Sequence, residues 1–204
     1  MERTGLFDRD VCLKLAWCGL WDEALAALGI TRAFRLASCT AGPSNRKVLL
    51  RKIGEGEVLD RAMDRLAAMV AATPVIPDGL VGSSRSSAVL VDVDGIPDID
   101  PGEALLLAII AQASDPTILI SGDKRFFGAL RQQRPRLWAV VAGKLLSFEG
   151  CLNAIVAAQG PAFVIERVRP VGACDSTLQI ALGSGPVCDV LSFTDALSSF
   201  DPLR

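Results

Sequence analysis

The sequence contains no histidine among its 204 residues. Without an imidazole, the chain has no Ser-His-Asp triad, no Cys-His pair, no histidine general base and no histidine-ligated zinc. Any catalytic chemistry must therefore use carboxylates, lysines, hydroxyls, thiols or a metal ion held by oxygen atoms.

The cysteines form no C-x-x-C pair. There are six of them: Cys12, Cys18, Cys39, Cys151, Cys174 and Cys188. Widely spaced thiols without histidine do not predict a structural zinc site. The N-terminus, MERTGLFDRD, carries charges where a secretion signal has an apolar core, so a disulfide framework is not expected either. We interpret the cysteines as core or half-buried thiols.

Long apolar runs and an excess of positive charge are also absent. No run approaches the roughly 20 uncharged residues of a membrane span, so we expect a globular, cytoplasmic protein with no membrane partner. The net charge of -2 gives no global attraction for nucleic acid, and tyrosine, a common stacking residue, is absent. Binding to RNA would then depend on a local basic patch.

Short buried runs alternate with helical patterns along the chain. TGLF (4–7), TILIS (117–121) and LWAVV (137–141) are typical of buried strands. The spacing of apolar residues predicts helices that begin near Val11, at Pro101 behind Asp100 and at Asp123, and further helices at 55–72 and 146–159. Residues 79–100 are expected to be irregular. The order predicts an α/β protein, a three-layer α/β/α sandwich with a mainly parallel central sheet. We expect a domain at 1–145 and a helical or irregular extension at 146–204 packed on it.

Carboxylates follow two of the predicted strands and begin a central helix. Asp8 and Asp10 come after the first strand, Asp123 after TILIS, and Glu103 lies in the first turn behind Asp100. Each is also explained as a helix cap or a first-turn acid. Capping does not explain why all of them fall at one expected edge of the sheet, where functional groups collect. Oxygen ligands of this kind suit Mg²⁺ or Mn²⁺.

Three segments resemble the PIN domain family. LFDRDVCLKL is similar to its opening strand and catalytic aspartate, DIDPGEALLLAIIAQ to its central D-x-G-E segment, and ILISGDKRFFGAL to its third segment. The resemblance covers about 140 residues and implies a Mg²⁺- or Mn²⁺-dependent ribonuclease. It implies that Asp8, Glu103 and Asp123 are catalytic metal-binding acids.

The resemblance extends to neighbouring positions and to partners. Asp10 stands at the usual asparagine position as a further metal ligand, and Ser121, at the usual threonine, and Asp100 have supporting roles. Many family members are toxins, which implies RNA as substrate, a small antitoxin-like protein as partner and a possible homodimer. Four basic residues are expected to contact RNA: Arg46, Lys47, Lys124 and Arg125. Exposed helix faces carry such residues without any ligand.

The chain departs from the family pattern after the first strand. Where another acid is expected, SCTAGPSNRKVLLRKIG is basic, and Glu55 or Glu57 would have to substitute. A catalytically degenerate RNA- or protein-binding module is therefore an alternative. Asp8-x-Asp10 also fits a haloacid-dehalogenase-like phosphatase. In that family, however, the serine and the Gly-Asp pair follow separate strands, whereas Ser121 and Gly122-Asp123 follow the same strand here. Glu103 would also have no role in such an enzyme. Asp175, late in the chain, is expected to be a surface acid.

Overall fold

A parallel four-stranded sheet lies at the centre of the protein. The structure is a computed structural model that describes residues 2–80, 87–114, 116–185 and 187–204. The strands are β1 (Thr4–Phe7), β2 (Arg32–Arg35), β3 (Thr117–Ser121) and β4 (Leu145–Ser147), in the order β2-β1-β3-β4. All three pairings are parallel. The α/β class and the parallel sheet are confirmed.

Helices pack on both faces of this sheet. Their bounds are α1 (Arg9–Cys18), α2 (Trp21–Ala27), α3 (Pro43–Ile53), α4 (Glu57–Ala72), α5 (Ala88–Val93), α6 (Pro101–Gln112), α7 (Lys124–Gln133), α8 (Pro135–Val141), α9 (Phe148–Gln159), α10 (Pro161–Val168), α11 (Ser176–Leu182) and α12 (Val190–Phe200). Short 3₁₀ helices span Ala142–Lys144 and Arg169–Cys174. Among the described residues, no helix combines the length and the apolarity needed to cross a membrane.

The alternation of side chains along the strands divides the core into two clusters. Phe7 and Ile120 belong to one cluster, with α1, α4 and the C-terminal helices, whereas Leu6 and Leu119 belong to the other, with α6 and α7. Successive strand residues point to opposite faces, so both faces of the sheet are buried. This arrangement is consistent with a three-layer sandwich.

The predicted strand at 137–141 is wrong, because these residues form helix α8. Pro135 begins that helix at a position where its missing N–H costs nothing, and a short apolar run does not distinguish a buried helix from a strand. The fourth strand is the next apolar run, β4. The segment 79–100, which was expected to be irregular, contains helix α5, whose N-cap Ser87 accepts a hydrogen bond from the Leu90 amide. Residues 81–86 of this segment lie outside the described part.

The C-terminal region contributes to the same core as the first strand. Phe148, Leu152, Phe193 and Leu197 are buried in one cluster with Phe7. Strand β4 spans the expected division between 145 and 146 and pairs with β3. The last 60 residues therefore complete one face of the sheet.

Candidate active site at the carboxyl edge of the sheet

Asp8 is fixed where β1 passes into α1. Its amide donates to the Ile120 carbonyl of β3 at 3.0 Å, and its Oδ1 accepts from the Arg9 amide at 2.7 Å as the N-cap of α1. Only 8% of the residue is exposed. It lines a cleft of about 210 Å³ together with Asp100, Ser38 and Arg9. An aspartate that only capped a helix would not need to be buried.

Glu103 is the most deeply buried of these acids, at 4% exposure. It completes a capping box at the start of α6: its amide donates to Asp100 Oδ1 at 2.8 Å, and its Oε2 accepts from the Asp100 amide at 3.0 Å. The cap predicted at Asp100 is confirmed. The box fixes both carboxyl groups at the same end of the sheet as Asp8.

Burial makes it costly to ionise Asp8 and Glu103. Burial raises the pKa of Asp8 from 3.8 to about 6, against a hydrogen bond from the Arg9 amide, and the charges of Asp10 and Asp100 raise it further. Burial likewise raises the pKa of Glu103 from 4.5 to about 8, with added repulsion from Asp100, Asp8 and Asp123. Four of these acids, Asp8, Asp100, Glu103 and Asp123, are connected through the action of their charges on Asp8 and Glu103, and we call them the acid unit.

Asp123 belongs to this unit but is paired with an arginine. It caps α7, its amide donates to Ser121 Oγ at 3.2 Å, and its oxygens accept from the amide and the guanidinium of Arg125. Burial alone would raise its pKa, but the hydrogen bonds and charge of Arg125 hold it below the ordinary value. Ser121, fully buried at the end of β3, thus positions the backbone of Asp123.

Asp10 lines the same cleft as Asp8 but is paired with Lys14. The Lys14 ammonium pairs with Asp10 and lies 2.7 Å from Asp175 Oδ2. Burial lowers the pKa of Lys14, but the two carboxylates outweigh it and hold the pKa above the ordinary value. A Cβ atom at Gly122 would lie 2.9 Å from Asp10 Oδ2, so a larger residue there would require the Asp10 side chain to shift. A phosphatase reading needs Asp10 as a proton donor to substrate, and its pairing with Lys14 gives no support to that role.

Asp175 is not the surface acid that the sequence predicted, because its side chain is only 11% exposed. It accepts from the Leu178 amide at 2.9 Å as the cap of α11 and binds Lys14 on α1. The i, i+4 spacing of Asp10 and Lys14 could have indicated their pair. No local signal indicated the contact with Asp175, because it joins distant parts of the chain.

The basic residues predicted to contact RNA lie in different settings. Arg46 pairs with Asp60 on the exposed surface of α3 and α4, and Lys47 is exposed beside it. Lys124 turns inward, with its ammonium 2.8 Å from Glu149 Oε1 and 3.0 Å from Thr177 Oγ1. Arg9, which the sequence did not single out, lines the acid cleft itself and donates to Asn45 Oδ1 at 2.6 Å.

The chemistry of the acid unit suits a hard divalent cation. In the described part of the chain, no lysine or arginine forms an ion pair with Asp8, Asp100 or Glu103. Buried carboxylates without a counter-charge are costly, and an oxygen-seeking cation would remove that cost. Within the same residues, however, no three acids already converge on one point. Glu57, a possible substitute acid, pairs with Arg61 on the exposed face of α4.

Comparisons with known proteins give no match to a family model, to a curated protein or to a solved structure. The case for a function therefore depends on the residues and their geometry.

Proposed function

We propose that the protein is a PIN-like ribonuclease that hydrolyses RNA phosphodiester bonds with Mg²⁺ or Mn²⁺. The observation that carries this proposal is the burial of Asp8 and Glu103, at 8% and 4% exposure, without any cationic partner among the described residues. The order and spacing of the three resembling segments support the same activity. An antitoxin-like partner, a homodimer and a cytoplasmic location are further expectations of that resemblance.

The capping roles of these acids do not account for their burial. One oxygen of Asp8 and one of Glu103 accept a backbone hydrogen bond, and an exposed side chain would do so equally well. A backbone hydrogen bond from Asp10 also acts on Asp8, but no lysine or arginine of the described residues forms an ion pair with either carboxyl group. Both carboxyl groups therefore remain available to a cation.

Asp8, Glu103 and Asp123 would hold the cation, with Asp100 in support. A bound Mg²⁺ or Mn²⁺ would supply a more acidic water and would stabilise charge on the phosphate oxygens. The chain itself fixes two of the carboxylates through the first turns of α1 and α6, and Ser121 fixes the third through its backbone. Arg9 places a positive charge at the cleft, where an RNA phosphate would approach.

A degenerate binding module is the second candidate. Its support is the ion pair between Arg125 and Asp123, together with the lack of three convergent acids among the described residues. Such a module would bind RNA or a protein partner without cleaving it.

An RNA cleavage assay separates the two candidates. Purified protein is incubated with a mixed RNA pool in Mn²⁺ or in EDTA, beside Asp8→Asn and Glu103→Gln. Both amides keep the helix caps but remove the charge, so we expect folded variants with at least about 100-fold less cleavage. Asp64→Asn, at an exposed acid on α4, is the matched control and should cleave like the parent.

Cleavage that persists in EDTA and in the Asp8→Asn variant would contradict the proposed nuclease. RNA binding without cleavage by the parent protein would favour the degenerate module instead.

A further inference from the structure

Arg125 occupies both oxygens of Asp123. Its amide donates to Oδ1 at 2.8 Å, its Nε donates to Oδ1 at 3.3 Å and one terminal nitrogen donates to Oδ2 at 3.1 Å. A guanidinium fork that binds a carboxylate through two nitrogens is among the stronger side-chain pairs. Asp123 is therefore the only strand-end acid of the unit that a described arginine neutralises.

The same guanidinium reaches a second acid near the cleft. Its other terminal nitrogen lies 3.6 Å from Oδ1 of Asp98, in the loop before α6. Glu103 and Asp98 also act on Arg125 through their charges. One cation thus connects the start of α7 to the loop that leads into α6.

The side chain of Arg125 is nevertheless 73% exposed. An exposed ion pair is weak, because water solvates both groups and a long side chain loses freedom when it is held. Arg125 can therefore leave Asp123 without disturbing the core, unlike the buried Lys14.

We propose that Arg125 is a resident counter-cation that a divalent metal displaces from Asp123, so that Arg125 sets the metal affinity of the site. This inference rests on the proposed function. It explains why no three acids of the described residues converge on one point: Asp123 is turned to Arg125, whereas Asp8 and Glu103 are fixed by their caps. Arg125 is a positioning residue in this account, because it acts through Asp123.

Manganese titration of the full chain tests the inference without measuring cleavage. The melting temperature is followed against Mn²⁺ concentration for the parent, Arg125→Gln, Arg125→Lys and Arg136→Gln. Ligand that binds only the folded state raises the melting temperature with occupancy, so an apparent dissociation constant is obtained. Arg136, an exposed arginine on α8, is the matched control for loss of a surface charge.

We expect Arg125→Gln to lower the dissociation constant for Mn²⁺ about two- to fivefold, the upper part of the range in which exposed ion pairs contribute. Arg125→Lys keeps the charge but lacks the fork, and it should also bind Mn²⁺ more tightly than the parent. Arg136→Gln should leave the constant unchanged.

The outcomes separate this inference from the proposed function. If the parent binds Mn²⁺ and Arg125→Gln binds it equally or less tightly, the inference is overturned while the metal site stands. An equal gain in Arg136→Gln, or an Arg125→Lys variant that binds like the parent, would also overturn it, because net charge would then explain the effect. If no variant responds to Mn²⁺, the proposed function fails first.

Discussion

Glu103 carries two roles in one side chain. One oxygen closes the capping box of α6, and burial among other acids raises the pKa of the carboxyl group to about 8. A neutral amide would perform the first role without the electrostatic cost. The capping box alone therefore does not require a carboxylate at this position.

This raised pKa predicts how the stability of the metal-free protein changes with pH. Between pH 4.5 and about 8 the folded state holds a proton on Glu103 that the unfolded state has released. The stability that protonated Glu103 contributes to the folded state is therefore fully present below pH 4.5. It is lost as the pH rises through 8. Glu103→Gln should remove this loss and be more stable than the parent at pH 9 by several kcal/mol, since each unit of pKa difference corresponds to about 1.4 kcal/mol. Urea unfolding in EDTA, at pH values from 5 to 9, measures the difference.

The contrary result is simple to recognise. If the parent and Glu103→Gln keep a constant stability difference over this range, Glu103 does not titrate in the folded protein. Glu149→Gln is a useful comparison, because Glu149 is also buried but is paired with Lys124.

The acids at the ends of the strands could be predicted from the sequence because the residues next to them in the chain mark the strand ends. Asp8 directly follows an apolar strand, Asp123 follows another after Gly122, and Asp100-Pro101 marks a helix start. The pairing of Asp123 with Arg125 depends on a side-chain rotation that no pattern of residues specifies. Sequence therefore predicts which acids lie at the edge but not which of them is neutralised.

Among the elements, α1 joins the site to the C-terminal region through Lys14. Lys14, 8% exposed, binds Asp10 on its own helix and Asp175 before α11, and its ammonium lies 5.2 Å from the centre of the Phe148 ring. Removing one partner of a buried pair leaves an uncompensated charge, which costs more than the pair itself contributes.

Lys14→Met should therefore destabilise the protein by about 3 kcal/mol, because Asp175 would remain buried and charged. Asp175→Asn added to this variant keeps the cap of α11 and should recover part of the loss. Urea unfolding of both variants measures the change.

Arg46→Met is the matched control, since it breaks the exposed pair with Asp60. It should cost less than about 1 kcal/mol. Equal losses in Lys14→Met and Arg46→Met would show that the Lys14 pair is no more important than a surface contact.

Element type was harder to predict where apolar runs are short. LWAVV and LLS are both largely apolar and are separated only by Ala142–Lys144, yet the first lies in helix α8 and the second is strand β4. Strand β2, RAFR, carries arginines at both ends and has only Phe34 buried, so its pattern is weak. Pairing with β1 decides its structure, and pairing is a tertiary effect.

The whole molecule is built around a sheet whose two faces are completed by distant segments. One core cluster contains Phe7 from the first strand and Phe148, Phe193 and Leu197 from beyond residue 145. From the sequence we predicted that residues 146–204 pack on the domain, but not that they form part of its hydrophobic core. The pattern of apolar residues in a short helix does not indicate which element the helix packs against.

A fragment of residues 1–145 should therefore not fold by itself. It would lack most of β4 and would expose the face of the sheet that α9 and α12 cover. We expect no cooperative unfolding transition and strong binding of a hydrophobic dye. A fragment with native-like near-ultraviolet circular dichroism and a sharp melting transition would contradict this view and would make 146–204 a dispensable extension.

The most direct test of the account is to count bound Mn²⁺ at pH 8 by electron paramagnetic resonance, which detects the free ion. The parent protein should remove Mn²⁺ from the free pool to a saturable limit, whereas Asp8→Asn and Glu103→Gln should bind at least about tenfold more weakly, since each loses one charged ligand. Asp64→Asn should match the parent. Saturable binding that is the same in all four proteins would contradict the central claim, as would no binding by the parent.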